Sequence, residues 1–434
     1  MPDPSATPVA LMVGNRSVTS HRTMCYRVLL VCGLAFLFRI AFVWAIYRSW
    51  PVWYFWHNGF EANNIAASIV NGNGFASPFG VATGPTAWLP PIYPALNALW
   101  FWLFGTFRGP ALICILFFNI ACGTATVGVL YTVGSRFSRQ VAFVSAIVWG
   151  ASLDAIGMNV RTWESSLSAL LVITAVLLHF QLLTGVSKLS LWVFYSIFWA
   201  FVGLTNTALL SLMPLSVIAI TWRASRTACR NALVGVMLFV VLLMPWTIRN
   251  YVALHKIVVF RNNLGPQLWY GNHPGVTDPA DKSILISENN LTEKAAYISL
   301  GDAGYAASRG QMACEFIRTH PKTFARLTWG RFLYFWSSSR IMGRVVPSLI
   351  SLIAFLGLLL LTYRNGWRIS APFISSIFLY PLPYYVTHTE SLFRYPIEPI
   401  LLLLASYFCL AAFEFAGSAQ LRGRRLSYHP DFSA

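Results

Sequence analysis

Between residues 4 and 277 the chain holds only three acidic side chains, Glu61, Asp154 and Glu164. Each lies within or beside an apolar stretch. A carboxylate near membrane depth is costly and is usually paired or functional. Held at a membrane surface, it can take the proton from a hydroxyl as that hydroxyl attacks. Glu61 sits in NGFEANNIAASIVNGNGF. Read as a helix, this segment puts Glu61, Asn64, Ser68 and Asn71 on one stripe and Ala62, Ile65, Ala66 and Ile69 on the opposing one. The helix is then expected to lie in the interface with its polar stripe toward a cavity, until Asn71, Gly72, Asn73 and Gly74 break it. The plainer reading of Glu61 is a solvated acid on a surface helix. Glu164 follows Arg161 by three residues in RTWESSLSALL. Its structural reading has Thr162 capping the helix, with Glu164 at the positive end of the dipole and paired with Arg161. Its functional reading is a second carboxylate that orients an acceptor or tunes Glu61. Asp154 closes the preceding apolar run on the same side and is the third catalytic candidate.

Cations on that side are the natural partners of an anionic substrate. Arg249 and Asn250 end a run in PWTIRNY; Arg394 and Tyr395 open another in THTESLFRYPIEP, with His388 and Glu390 just before. Arginine suits a phosphate because its planar fork donates two hydrogen bonds at once. Anchoring to lipid headgroups is the plainer alternative. Arg161, Arg249, Asn250, His388, Glu390, Arg394 and Tyr395 are therefore the expected substrate-binding residues. Arg39 lies inside the first apolar run, where a charge needs a partner. Glu61 is the expected partner if the loop folds back.

The elements that position these residues must be membrane spans. The chain has 434 residues, of which 56% are hydrophobic and 10% charged, where soluble domains carry about 25% charged residues. The net charge of +17 is spread in short basic groups between apolar runs, which fits loops on the cytoplasmic side rather than a nucleic-acid surface. The 15% aromatic content suits interfacial belts. Seven cysteines show no paired spacing, so neither a disulfide framework nor a zinc site is expected. The first apolar run has no small-residue cleavage site after it and reads as a retained span.

Apolar segments fall at about 26–46, 89–106, 110–134, 140–157, 164–183, 190–205, 208–222, 231–250, 345–363, 370–387 and 395–415. If 89–106 does not cross, every short basic loop lies in the cytoplasm: Arg136 and Arg139, Lys188, Arg223 with Arg226 and Arg230, and Arg364 with Arg368. The fold expected is an all-α polytopic membrane protein with about ten spans, eleven if 89–106 crosses. Pro90, Pro91 and Pro94 suit an interfacial or re-entrant segment there. The expected organisation is a cytoplasmic tail at 1–25, an N-terminal membrane module at 26–250 with an outer loop at 48–109, an extracytoplasmic region at 251–343, C-terminal spans at 344–415 and a cytoplasmic tail at 416–434. The outer region holds Asn262, Asn263, Asn272, Asn289 and Asn290, and its segment HPKTFARLTWGRFLYFW reads as an amphipathic surface helix. The protein is thus expected in the cell membrane, with its site extracytoplasmic and both termini inside.

An apolar first span, an outer loop with a carboxylate helix, then GNGF and the turn PPIYP together resemble the GT-C superfamily of integral-membrane glycosyltransferases. The stretches GLTNTALLS, PWTIRNY, LWYGNHPG and FRYPIEP are similar to stretches of its family 39 type, which includes protein O-mannosyltransferases and the aminoarabinose transferase of lipid A. The resemblance covers roughly residues 30–415. It implies a polyprenyl-phosphate-linked sugar donor, a lipid, glycan or protein acceptor, inversion, and an acidic base in the first outer loop. The family's aspartate position corresponds to Asn58 here, which cannot act as a base; Glu61, one helical turn on, is its expected replacement. No metal-ligand spacing is present, although Glu61 and Asp154 leave room for a divalent metal. Two rival readings stay open: a lipid or solute transporter or flippase, which should show repeated halves with broken helices meeting at mid-membrane, and a non-catalytic membrane assembly protein.

Overall fold

The computed structural model describes residues 18–286, 290–339 and 341–426. The tails expected at 1–25 and 416–434 fall partly outside these residues, and so does Asn289. The chain order is α1 (Val18–Ser49), α2 (Val52–His57), α3 (Phe60–Val70), α4 (Ile92–Phe104), α5 (Gly109–Gly134), α6 (Arg139–Ala151), α7 (Leu153–Gly157), α8 (Ser165–Gly185), α9 (Leu189–Thr205), α10 (Met213–Thr221), α11 (Arg226–Leu254), α12 (Leu264–Gly271), α13 (Leu291–Thr319), α14 (Pro321–Ser337), α15 (Val345–Asn365), α16 (Trp367–Ile374), α17 (Leu382–Val386) and α18 (Glu398–Leu426). Among the described residues the regular elements are helices, and one isolated bridge pairs Ala76 with Pro85.

Helices dominate because lipid offers no partner for backbone N–H and C=O groups, so each span must satisfy its own. Among the described residues seven helices are long and apolar enough to cross a membrane: Tyr26–Ser49, Gly109–Gly134, Ser165–Gly185, Arg226–Leu254, Val345–Asn365, Trp367–Val386 and Ser391–Ala416. Arg139–Ala151 and Leu153–Val160 pass the same test only together, as a pair bent by 50°. The protein is therefore an all-α polytopic membrane protein. The segments expected at 190–205 and 208–222 are shorter apolar helices, Leu189–Thr205 and Thr207–Thr221. Asn206 breaks the chain between them, its side chain accepting from Ala208 N at 3.2 Å. The segment expected at 89–106 is helical only over the 13 residues of α4, short of the ~17–25 a crossing needs.

The largest core packs α5, α6, α8 and α18, with Leu130, Ala146, Trp149, Val176, Leu401 and Leu403 fully buried. Gly357 of α15 lies so close to the backbone of Leu404 that a Cβ there would sit 2.2 Å from its carbonyl oxygen. Such small-residue contacts let membrane helices pack backbone to backbone. A second core of Ile65, Phe79, Trp88, Tyr93, Tyr270, Tyr297 and Tyr305 welds the 48–109 loop to the 251–343 region.

The basic loops gather at one end. Asn231 donates to Ser187 O at 2.9 Å, Arg368 to Ala219 O at 2.9 Å, and His179 to Arg368 O at 2.8 Å. The opposite end carries α2–α4, the 158–164 turn and α12–α14.

Candidate active site

The site is built on the second end, and α3 supplies its first carboxylate. Gly59 separates α2 from α3 and touches the 158–164 turn; a Cβ on it would stand 2.0 Å from Thr162 O. Asn63 donates to Trp56 O at 2.9 Å and to Thr162 Oγ1 at 2.8 Å, and Asn97 donates to Asn63 Oδ1 at 3.0 Å. These bonds fix α3 against that turn. Gly72 and Gly74, both at positive φ, end the helix after Asn71. The expected stripe holds only in part. Glu61 and Asn64 are half-buried and Asn71 is exposed, but Ser68 is buried at 6% on a helix packed along α4.

Glu164 is itself the cap residue of α8 and makes no side-chain cap bond. Thr162, expected to cap, instead donates to Phe55 O at 3.0 Å, because α2 arrives against it. The charge of Arg161 acts on both Glu61 and Glu164. Burial pushes the Glu164 carboxyl up to about 7 against the pull of Arg261 and Arg161, and the Glu61 charge adds to the rise. Burial likewise raises Glu61, where the Glu390 charge adds and Arg161 opposes. Two carboxylates in one poorly solvated site resist carrying two charges, so they titrate as a pair. Perturbation of this kind, with named partners in a cleft, marks functional sites.

His388 and Glu390 complete this cluster. His388 is buried, lies 3.9 Å from Glu390 and meets the Tyr270 ring edge-on. Burial lowers its imidazole to about 4, with Glu390 opposing. Lys282 pairs with Glu390 at 2.7 Å. Arg261, missed in the sequence, acts on both Glu164 and His388. It is half-buried, and no hydrogen bond joins its side chain to another described residue.

The other expected residues stand elsewhere, their polar atoms held by the chain. Asp154 accepts from Ser339 Oγ and from Ile341 N at 3.1 Å. Arg249 donates to Thr86 O at 2.6 Å and Phe75 O at 2.5 Å and lies over the Phe75 and Trp246 rings. Asn250 donates to Val258 O at 2.9 Å. Arg394, 1% exposed, donates to Trp336 O at 2.7 Å and pairs with Glu398 at 3.2 Å. Tyr395 donates to Ala155 O at 3.2 Å. These residues fasten the outer loops to the spans. Arg39 does not meet Glu61; it donates to Trp149 O, Ala155 O and Asn159 Oδ1, acceptors at the bend between α6 and α7.

Asp154, expected beside Glu61 as a possible metal holder, is instead bonded to Ser339 and Ile341. Among the described residues no group of three or more His, Cys, Asp and Glu side chains could hold a metal ion.

An apolar recess of about 630 Å³ opens between α10, α14 and α17. Pro214, Thr328, Leu379, Leu382, Pro383 and Val386 line it.

No family profile matches the chain, and no curated protein matches it by sequence. Solved structures do. The archaeal oligosaccharyltransferase AglB from Archaeoglobus fulgidus, in complex with an inhibitory peptide and a dolichol-phosphate, superposes with a TM-score of 0.53 at 13% identity. The match covers 96% of this chain and 53% of that one. The apo form of the Archaeoglobus fulgidus oligosaccharyltransferase gives the same TM-score and identity over 96% and 54%. This chain shares the membrane fold of the Archaeoglobus fulgidus oligosaccharyltransferase. It spans about half the length of the solved structures it matches. ArnT from Cupriavidus metallidurans bound to undecaprenyl phosphate superposes at TM-score 0.47 and 12% identity, over 86% and 59%. Within this fold, Glu61 and Glu164 lie where α2–α3 and the start of α8 meet the 251–343 region.

Proposed function

We propose that this protein is a membrane glycosyltransferase of the GT-C superfamily, of family 39 type. It moves a sugar from a polyprenyl-phosphate donor to an acceptor hydroxyl at the extracytoplasmic face, with inversion. The observation that carries this reading is that two half-buried carboxylates, Glu61 and Glu164, both feel the charge of Arg161, with Arg261 also acting on Glu164. As the acceptor oxygen bonds to the sugar's anomeric carbon, the bond from that carbon to the phosphate oxygen breaks. The hydroxyl proton passes to the Glu61–Glu164 pair, and the phosphate leaves as an anion held by Arg261 and Arg161. A base of this kind and a cation at the leaving oxygen are the two things such a displacement needs. The base is assigned to the pair rather than to one member, because coupled carboxylates exchange the proton between them. The apolar recess between α10, α14 and α17 suits the donor's lipid chain. The acceptor is a lipid, a glycan or a protein.

The face is argued from charge. The basic loops at Lys188, Arg223–Arg230 and Arg364–Arg368 lie together at the end opposite the cluster. The pair Leu189–Thr205 and Thr207–Thr221 keeps them on one side whether both helices cross or neither does. Native cysteines test this. Cys314 of α13 and Cys229 at the start of α11 are both exposed. An impermeant maleimide added to intact cells should label Cys314, while Cys229 should react only after lysis; Cys314→Ser and Cys229→Ser assign the bands. Labelling of Cys229 in intact cells reverses the orientation.

A further inference from the structure

The cluster depends on a turn, residues 158–164, that carries Arg161 and Glu164 between α7 and α8. That turn follows a bend at membrane depth, where backbone carbonyls lose their helical partners and must find others. Arg39 of α1, 0% exposed, supplies them: it donates to Trp149 O at 3.2 Å, Ala155 O at 3.4 Å and Asn159 Oδ1 at 2.7 Å. Asn159 in turn donates to Ser166 Oγ at 2.9 Å, in the first turn of α8, and to Asn119 O at 3.0 Å. Asn119 of α5 donates to Arg161 O at 2.6 Å and accepts from Tyr93 OH at 3.3 Å. Arg39, Asn119 and Asn159 are all fully buried. Gly123 makes the room: a Cβ there would lie 2.8 Å from Arg39 Nη1 and 3.0 Å from Asn159 Nδ2. Both Nη atoms of Arg39 are bonded while its buried Nε has no hydrogen-bond partner among the described residues, and linked buried bonds of this kind hold one geometry.

We infer that the ladder Arg39–Asn159–Asn119 is the positioning device of the site, holding the Arg161 backbone and the first turn of α8 so that Arg161 stays beside Glu164 and Glu61. Its residues touch no substrate; they act through the turn. The inference rests on the proposed function only in calling the carboxylate pair catalytic, and its test needs neither donor nor turnover.

The groups that set the charge of Glu164 are Arg161, Arg261 and Glu61, with Tyr93 of α4 and Tyr380 and Tyr384 also near it. Those facing Glu61 are Arg161, Glu390 and Tyr270. Loosening the ladder moves Arg161 and leaves the others in place. The experiment is an infrared pH titration of the purified full-length protein in detergent, with the Glu164 carboxyl band assigned by its loss in Glu164→Gln. Asn119→Leu removes the bond to Arg161 O at similar volume. Ser166→Ala removes only one acceptor of Asn159 and keeps the fold safe. Each should move the Glu164 midpoint upward by about half a unit to one unit, a fraction of the ~1–3 units a close opposite charge contributes, and Asn119→Leu should move it further. A merely structural role predicts lower thermal stability with the midpoint unmoved. If Asn119→Leu does not fold, Ser166→Ala decides alone. An unchanged midpoint in the folded variants overturns the inference.

Discussion

Replacing Glu164 by glutamine, or Glu61 by glutamine, should lower sugar transfer by about 10²- to 10⁴-fold, the usual contribution of a positioned base. Both substitutions keep the shape of the side chain and remove its charge. Because the charge of Arg161 acts on both carboxylates, the double variant should lose little more than the worse single one; residues acting as a unit are not additive. The wild-type rate should also depend on pH in a definite direction. Burial holds Glu164 near 7, so the base is lost to protonation as pH falls through that value and recovered as pH rises above it. Either single variant should abolish that limb. Turnover that keeps both its rate and its acid limb in the two variants would remove the pair from the chemistry. Asp154→Asn should spare the acid limb, since Asp154 is bonded to Ser339 and Ile341 rather than to the pair.

The largest structural effect is expected at Asp302. Its carboxylate is 3% exposed and follows Gly301, whose positive φ breaks α13 and aims the side chain inward. It accepts from Thr86 Oγ1 at 2.5 Å, Tyr297 OH at 2.9 Å, Ala87 N at 3.3 Å and Asn262 Nδ2 at 2.7 Å. One side chain thus ties the 48–109 loop, the strand of chain before α12, and α13. Asp302→Ala leaves four donors without their acceptor, each costing about 1–3 kcal/mol if it stays dry. Water will reach some of them, so a loss of about 3–5 kcal/mol is expected, in the range that only buried networks and cavities reach. Thermal unfolding in detergent and limited proteolysis of the 71–86 loop measure it. A variant with wild-type melting and an uncut loop would show that Asp302 does not hold the loops together.

Much of this molecule was legible in its sequence, and the reasons for the rest are physical. Apolar runs of span length identify the membrane helices because the bilayer sets both length and composition. The scarcity of acids singled out Glu61 and Glu164, because an acid is expensive beside lipid. The arginines are harder to read. In the sequence Arg249 and Arg394 stand out as outer-face cations. Their partners are main-chain carbonyls of Thr86 and Phe75, and of Trp336 and Pro347. A carbonyl leaves no mark in a sequence, so a structural arginine and a phosphate-binding one read alike. Arg261 meets the same outer-face criterion but lies beyond the span end, among asparagines, and was passed over. Arg39 drew a carboxylate partner by charge logic, whereas the bend between α6 and α7 offers it freed carbonyls. The bend itself has no sequence signal stronger than Ser152, which caps α7 by accepting from Ala155 N at 3.4 Å. Asp302 and Arg331 sat in a polar stretch where acids and bases are unremarkable until burial is known. Arg331 proves to be 0% exposed and donates to Gly271 O and Asn272 Oδ1.

The central claim is that this chain consumes a lipid-linked sugar with the Glu61–Glu164 pair. It is tested most directly by mass analysis of polyprenyl-phosphate sugars and surface glycans. The cells compared carry the wild-type gene, no gene, or the Glu61→Gln and Glu164→Gln variants at matched protein levels. The account predicts that a lipid-linked sugar accumulates and a glycan modification disappears without the gene, and that both variants reproduce that pattern while the protein stays folded in the membrane. Unchanged lipid-linked sugars and glycans without the gene, or full restoration by both variants, would contradict it.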